Sequence, residues 1–146
     1  MLIETLKSLF NRDLNKLKEE IEAYQTESQL WAIDRNISNS AGNLCLHLIG
    51  NLNTYIGAEL GKTGYIRDRP LEFSAKDVLR DHLISKIDET IAVVNKTLDS
   101  LTETDLETIY PQNVLEKEMT TGFFLVHLST HLAYHLGQIN YHRRLI

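Results

Sequence analysis

The sequence predicts an all-α protein, a four-helix bundle with long crossover connections. Three observations carry that expectation. Only two prolines and seven glycines occur in 146 residues, so breakers are scarce among good helix formers. Apolar side chains recur in steps of three and four over four long stretches, the period of a helix with one buried face. The connectors at residues 61–75 and 102–121 are long enough for successive helices to run parallel through a crossover, so simple up-down alternation is not required. The whole chain, residues 1–146, reads as one domain, large enough to bury roughly two-thirds of its unfolded surface.

The first helix is expected over residues 2–24, with Leu2, Leu6, Leu9, Phe10, Leu14, Leu17, Ile21 and Tyr24 inward and Glu, Lys and Asn between them. The period then lapses. Trp31 and Ile33 are expected to cover one end of the core, and residues 36–40 to turn. Ser40 is a good N-cap for a second helix that reaches about Leu60 and is apolar around most of its circumference, with Gly61 and Gly64 ending it. Ser74 with Asp77 resembles a capping box and opens a third helix to about Leu101. Its apolar side takes in Val78, Leu79, His82, Leu83, Ile87, Ile91, Val94 and Leu98. Residues 102–121 are polar and irregular, with a short helical turn at 103–107, before Thr120 or Thr121 caps a last helix from Gly122 to the C-terminus.

Composition excludes several classes of function. The chain is 42% hydrophobic and 24% charged with net charge −5, and its longest basic run is the Arg143-Arg144 pair. No nucleic-acid footprint or anionic-membrane partner is expected from such a surface. The single cysteine, Cys45, allows neither an internal disulfide nor a four-thiolate zinc site and reads as a small buried filler. The N-terminal segment carries Glu4 and Lys7 among its apolar residues and does not read as a signal peptide. No apolar run approaches the ~20 residues of a membrane span. A cytoplasmic location is the expectation.

Four of the six histidines, at 127, 131, 135 and 142, fall in the last helix. At about 100° per residue, His127, His131, His135, Gln138 and His142 share a strip roughly 80° wide. Buried imidazoles whose nitrogens lack partners cost ~1–3 kcal/mol each, so a run spaced by four points to a shared ligand. Geometry limits the sharing. His127 and His135 lie about 12 Å apart along the axis, too far for one ion with ~2.0–2.1 Å bonds. The helix can therefore offer His127 with His131, or His131 with His135. A third ligand must come from elsewhere, and His47, mid-helix in the most apolar stretch, is the leading candidate. His82 and His142 read as structural or solvent-exposed, Glu59 as a mouth residue or exposed, and Arg67 and Arg69 as solvated connector residues that could instead meet an acidic cosubstrate. The sequence offers no clear general base and no acidic residue close to the histidine motif.

His47 in a helix after Ser-Asn-Ser-Ala-Gly, followed late by His131-Leu-Ala-Tyr-His135-Leu-Gly137-Gln138-Ile139, resembles the DinB-like (YfiT-like) superfamily of metal-dependent enzymes over essentially the full length. The closing His-x3-His-x-Gly-Gln segment is the most specific part. Leu136 stands where the family motif has an arginine, so any role of that arginine does not carry over. The resemblance implies a crossover four-helix bundle, commonly a homodimer, with His47, His131 and His135 as ligands of a divalent metal, zinc or nickel. It also implies a place for His127 behind the ligands or lining the pocket, a hydrogen bond near the site from Gln138, and close helix packing at Gly137.

Three imidazoles leave one coordination position open, as in catalytic sites. Relatives of that superfamily include S-transferases that join low-molecular-weight thiols to electrophiles. A small-molecule thiol and an electrophilic substrate are the expected partners, with a metal-dependent hydrolase or a non-catalytic metal-binding module as alternatives.

Overall fold

The computed structural model describes all residues 1–146. Its helices are α1 (Leu2–Ala23), α2 (Ala41–Leu52), α3 (Arg69–Ser74), α4 (Arg80–Ser100) and α5 (Thr121–Leu145). A π-helical segment, Asn53–Ala58, extends α2, and single 3-10 turns occupy Glu27–Trp31 and Asp105–Glu107. The chain forms no strand, only one isolated bridge between Ile109 and Thr120 that holds the start of α5 to the preceding connector. No helix is long and apolar enough to cross a membrane.

Side-chain pairs fix the direction of each long helix. Lys7 pairs with Asp99, Asn11 with Asn95 and Lys18 with Asp88, so α1 and α4 are antiparallel. Leu2 lies beside Gly122 while Glu20 reaches Asn140 and Arg143, which makes α1 and α5 parallel. Asn53 bonds Thr90, and Gly57 lies against Val93, so α2 and α4 are parallel. His47 meets His131 whereas Tyr55 meets Phe124, so α2 and α5 are antiparallel. The order is up-down-down-up, with the 59–79 connector as the crossover that lets α2 and α4 share a direction.

The core is one cluster of 28 buried residues contributed by all four long helices, the 3-10 turns and the last connector. From α1 it takes Ile3, Leu6, Phe10, Leu14, Leu17 and Ile21, spaced by three and four as the pattern requires. Each such side chain contributes roughly 1.5–3 kcal/mol on leaving water. Ser40 caps α2 by accepting from the Asn43 N–H at 3.1 Å, and Thr120 caps α5 by accepting from the Phe123 N–H at 3.1 Å.

Several local expectations are corrected. The Ser74–Asp77 capping box does not form: Ser74 ends α3, Asp77 sits at φ 58°, and α4 starts only at Arg80. Leu79 and His82 are consequently exposed, outside the apolar face assigned to them. Leu2 points outward and Ile3 takes its place, and Ile33 is exposed although Trp31 is buried. Finally, the 61–75 segment is more than a connector, because it contains α3.

Candidate metal centre

The site is built where α2 and α5 cross. His47, His131 and His135 converge, each offering one ligand atom, and those atoms all lie within 4.8 Å of one another. The His47 and His131 Nε2 atoms are 3.3 Å apart. Two donors on a tetrahedral ion with ~2.0–2.1 Å bonds are separated by about 3.3–3.4 Å, so this pair is spaced for a shared metal. The His135 ring centroid is 4.6 Å from that of His131 and 5.3 Å from that of His47. The group could hold a metal ion.

Protonation states suit that use. Burial drives the His131 pKa down to about 4, helped by the neighbouring His135 and His47. Burial lowers His135 as well, although its bond to Gln138 opposes the shift. Both rings are therefore neutral at pH 7 and keep a lone pair for a cation. The Gln138 Oε1 lies 2.7 Å from His135 Nδ1; an N–H there leaves Nε2 as the free donor atom. His131 Nδ1, the ring nitrogen that does not face His47, is buried with no partner.

A group that sequence reading missed orients His47. Glu72 Oε1 lies 3.1 Å from His47 Nδ1, and the carboxylate also accepts Arg67 Nε at 2.8 Å and Arg67 Nη2 at 3.0 Å. Arg67 Nη2 is 3.3 Å from the same His47 nitrogen. An imidazole nitrogen cannot both accept from Arg67 and donate to Glu72. The shorter approach and the carboxylate charge favour an Nδ1–H donating to Glu72, which presents Nε2 to the cluster. Burial pushes the Glu72 carboxyl up, but the bonds from His47 and Arg67 outweigh it and hold the pKa below the usual carboxylate range. Arg67 is thus a part-buried ion-pair partner of Glu72 and not a solvated loop residue.

Local sequence explains how Glu72 arrives there. Asp68 caps α3 by accepting from the Leu71 N–H at 3.2 Å, and Pro70 sits in its first turn. The Asn43 side-chain amide donates to the Glu72 and Ala75 carbonyls at 2.9 and 2.8 Å, clamping the end of α3 to α2. Phe73 lies against the His47 ring at 4.9 Å. Gly50, one turn beyond His47, leaves the space: a Cβ there would fall on the Glu72 carboxylate. The readable signal was Asp-Arg-Pro, an N-cap followed by proline in a first helical turn.

The remaining candidates sort by position. His127 stacks between Phe124 at 5.8 Å and His131 at 6.5 Å, next to the cluster but outside it. His142 is buried elsewhere, 2.6 Å from the Tyr24 hydroxyl and 2.9 Å from the Ala32 carbonyl oxygen. Glu59 accepts from Gln112 at 2.7 Å. Cys45 is buried in the core with its thiol pushed up to about 12. Gly137, expected to allow close packing, faces open space within its own chain.

A solved structure of a conserved protein from Enterococcus faecalis superposes with a TM-score of 0.76, covering 98% of this chain and 95% of that one at 19% identity. At that identity the likeness shows the fold alone. No functionally curated protein matches the chain. The family model described as Protein of unknown function (DUF1572) matches residues 2–146, and the chain belongs to that family.

Proposed function

We propose that this chain is a divalent-metal-dependent thiol S-transferase of the DinB-like type, with His47, His131 and His135 as the ligands of zinc or nickel. The observation that carries the reading is the convergence of three imidazole donors from two helices within 4.8 Å, without any protein nucleophile beside them. A divalent ion held by His47, His131 and His135 would keep an open position and would acidify a thiol bound there. The residues of the chain then have distinct tasks. Glu72 and Gln138 fix the ring tautomers of His47 and His135, and Arg67 holds Glu72 in place. The nucleophile comes from outside: Cys45 is sealed in the core and its pKa is raised, so it is not a thiolate at neutral pH.

The reaction balances simply. The thiol releases its proton to solvent, and its sulfur forms a bond to the electrophilic carbon. A carbon–halogen bond breaks with halide leaving, or an epoxide carbon–oxygen bond breaks and the oxygen takes up a proton. Hydrolysis at the same position is the less supported reading. The carboxylate nearest the cluster, Glu72, contacts the Nδ1 side of His47 and is already bonded to Arg67, so it is not a free general base.

The test is to load untagged protein with zinc or nickel and offer a panel of small thiols with a chlorinated aromatic or an epoxide. Thioether formation is followed by mass spectrometry. The expected result is product that requires both metal and thiol and is lost in His131→Ala. Stoichiometric metal with no thioether from any pair, or water rather than thiol in the product, would overturn it.

A further inference from the structure

We infer that Asn51 is the positioning residue for His131: its side-chain Oδ1 accepts the His131 Nδ1–H when Nε2 of that ring holds a metal. The inference rests on His47, His131 and His135 as a metal centre, not on the reaction performed there. Two of the three imidazoles already have such a partner. His47 Nδ1 lies 3.1 Å from Glu72, and His135 Nδ1 lies 2.7 Å from Gln138 Oε1. His131 is the exception. Its Nε2 faces His47 at 3.3 Å, while its Nδ1 is buried with no partner. A neutral imidazole that ligates through Nε2 carries its proton on Nδ1. A buried N–H with nothing to receive it is costly.

An acceptor with the same deficit lies on the facing helix. The buried side-chain oxygens without a partner are Asn51 Oδ1 and Thr54 Oγ1. A threonine hydroxyl can turn to a carbonyl of its own helix, but an amide oxygen can only accept. Asn43, on the same helix, shows what a structural asparagine looks like. Its Oδ1 accepts from the Ser40 hydroxyl at 2.7 Å, and its amide donates to the carbonyls of Glu72 and Ala75. Asn51 is just as enclosed, at 7% exposure, yet its oxygen meets no donor. An aliphatic side chain would fill that place at lower cost, so the oxygen is explained by an N–H that comes to it.

Register brings the two groups to one level. Across the antiparallel pair of α2 and α5, His47 meets His131 and Tyr55 meets Phe124. Asn51 stands midway between His47 and Tyr55, about 6 Å along the helix from each and about 40° around it from each. It therefore faces α5, opposite the turns between Phe124 and His131. Side chains on a helix lean towards its N-terminus, which carries the His131 ring along α5 towards Asn51. The terminal torsions of both side chains are soft, so small rotations close the contact.

Asn51→Leu separates this role from a structural one, because the two predict opposite signs. The variant removes an unmet buried oxygen, so the metal-free protein should melt at or above the parent temperature. Its zinc Kd, read by chelator competition, should nevertheless rise about 10-fold. In proton–nitrogen NMR spectra of the zinc-loaded parent, His131 should show a slowly exchanging Nδ1 proton. That signal should be lost in Asn51→Leu while those of His47 and His135 persist. A folded Asn51→Leu protein with a Kd within about threefold of the parent, or with the His131 Nδ1 proton retained, would overturn the inference and leave the thiol-transfer reading untouched. Loss of helical circular dichroism in the metal-free variant would overturn it too, by showing that Asn51 holds the fold. A parent protein that binds no zinc would overturn the metal centre itself.

Discussion

Removing the Glu72 carboxylate should weaken metal binding without dismantling the fold, and its contacts set the size of the effect. Oε1 serves His47 and one Arg67 nitrogen, while Oε2 serves another Arg67 nitrogen at 2.8 Å. Glu72→Gln keeps the shape but supplies one acceptor where there were two, so its amide N–H must face a donor. Glu72→Ala removes both acceptors and strands a half-buried guanidinium. Carboxylates behind histidine ligands are typically worth 10–100-fold in metal affinity, about 1.4–2.7 kcal/mol. The expected zinc Kd rises about 10-fold for Glu72→Gln and towards 100-fold for Glu72→Ala, read by competition with a chromogenic chelator at pH 7.5. Gly50→Ala should weaken binding in the same direction, because its methyl displaces the same carboxylate. Far-UV circular dichroism of each metal-free variant separates a lost orientation from a lost fold. A folded Glu72→Ala protein that binds zinc as tightly as the parent would refute the argument that Glu72 orients His47.

His131→Ala should abolish stoichiometric metal binding by elemental analysis, whereas His127→Ala should change the Kd by less than about threefold, since the cost of losing a neighbour is far below that of losing a ligand. Chelation should leave helical content and near-UV circular dichroism unchanged, because none of the three clustered histidines belongs to the core of 28 residues; loss of the near-UV signal would mean the metal is structural. In the chelated protein the His131 pKa of about 4 lies below an unfolded value near 6.5. The unfolded chain therefore binds more protons between those values, and stability is full above about pH 6.5 and declines as pH falls towards 4. Thermal melts across that range should show the decline, and His131→Gln should flatten the slope. Tyr24→Phe, which strips the buried His142 Nδ1 of its partner, should cost ~1–3 kcal/mol and lower Tm by several degrees without changing metal affinity.

The fold was legible because its information is periodic. Ser40, the α1 stripe and the histidine spacing on α5 all act through local geometry that one sequence displays. His47, His131 and His135 were readable for the same reason: two share a helix face, and one is a polar residue in an otherwise apolar run. Glu72 was not readable, because it reaches His47 from 25 residues away through a six-residue helix whose only signature is Asp68-Arg69-Pro70. The sequence reading placed the next helix start at Ser74–Asp77, a cap whose geometry the backbone at Asp77 does not adopt. Arg67 was misread for a related reason. A connector arginine is solvated unless a buried carboxylate waits for it, and the sequence does not display the partner.

The crossover is what joins these legible and illegible parts. If α2 and α4 alternated in direction through a tight turn, the chain after α2 would fold back at once and leave no segment over His47. Because they are parallel, the connector must travel the length of α2 before α4 begins, and it passes His47 on the way. Asn43 and Gly50, one turn before and one turn after that histidine, catch the passing segment by its carbonyls and give its carboxylate room. Two of the three imidazoles come from one helix, the third from the helix beside it, and the carboxylate that bonds the third comes from the link that the topology makes long. A site assembled this way is positioned by the same core that holds the helices. That separates it from a structural metal site, in which the ion supplies the folding energy, and it is the physical reason for reading the cluster as one that acts on a ligand.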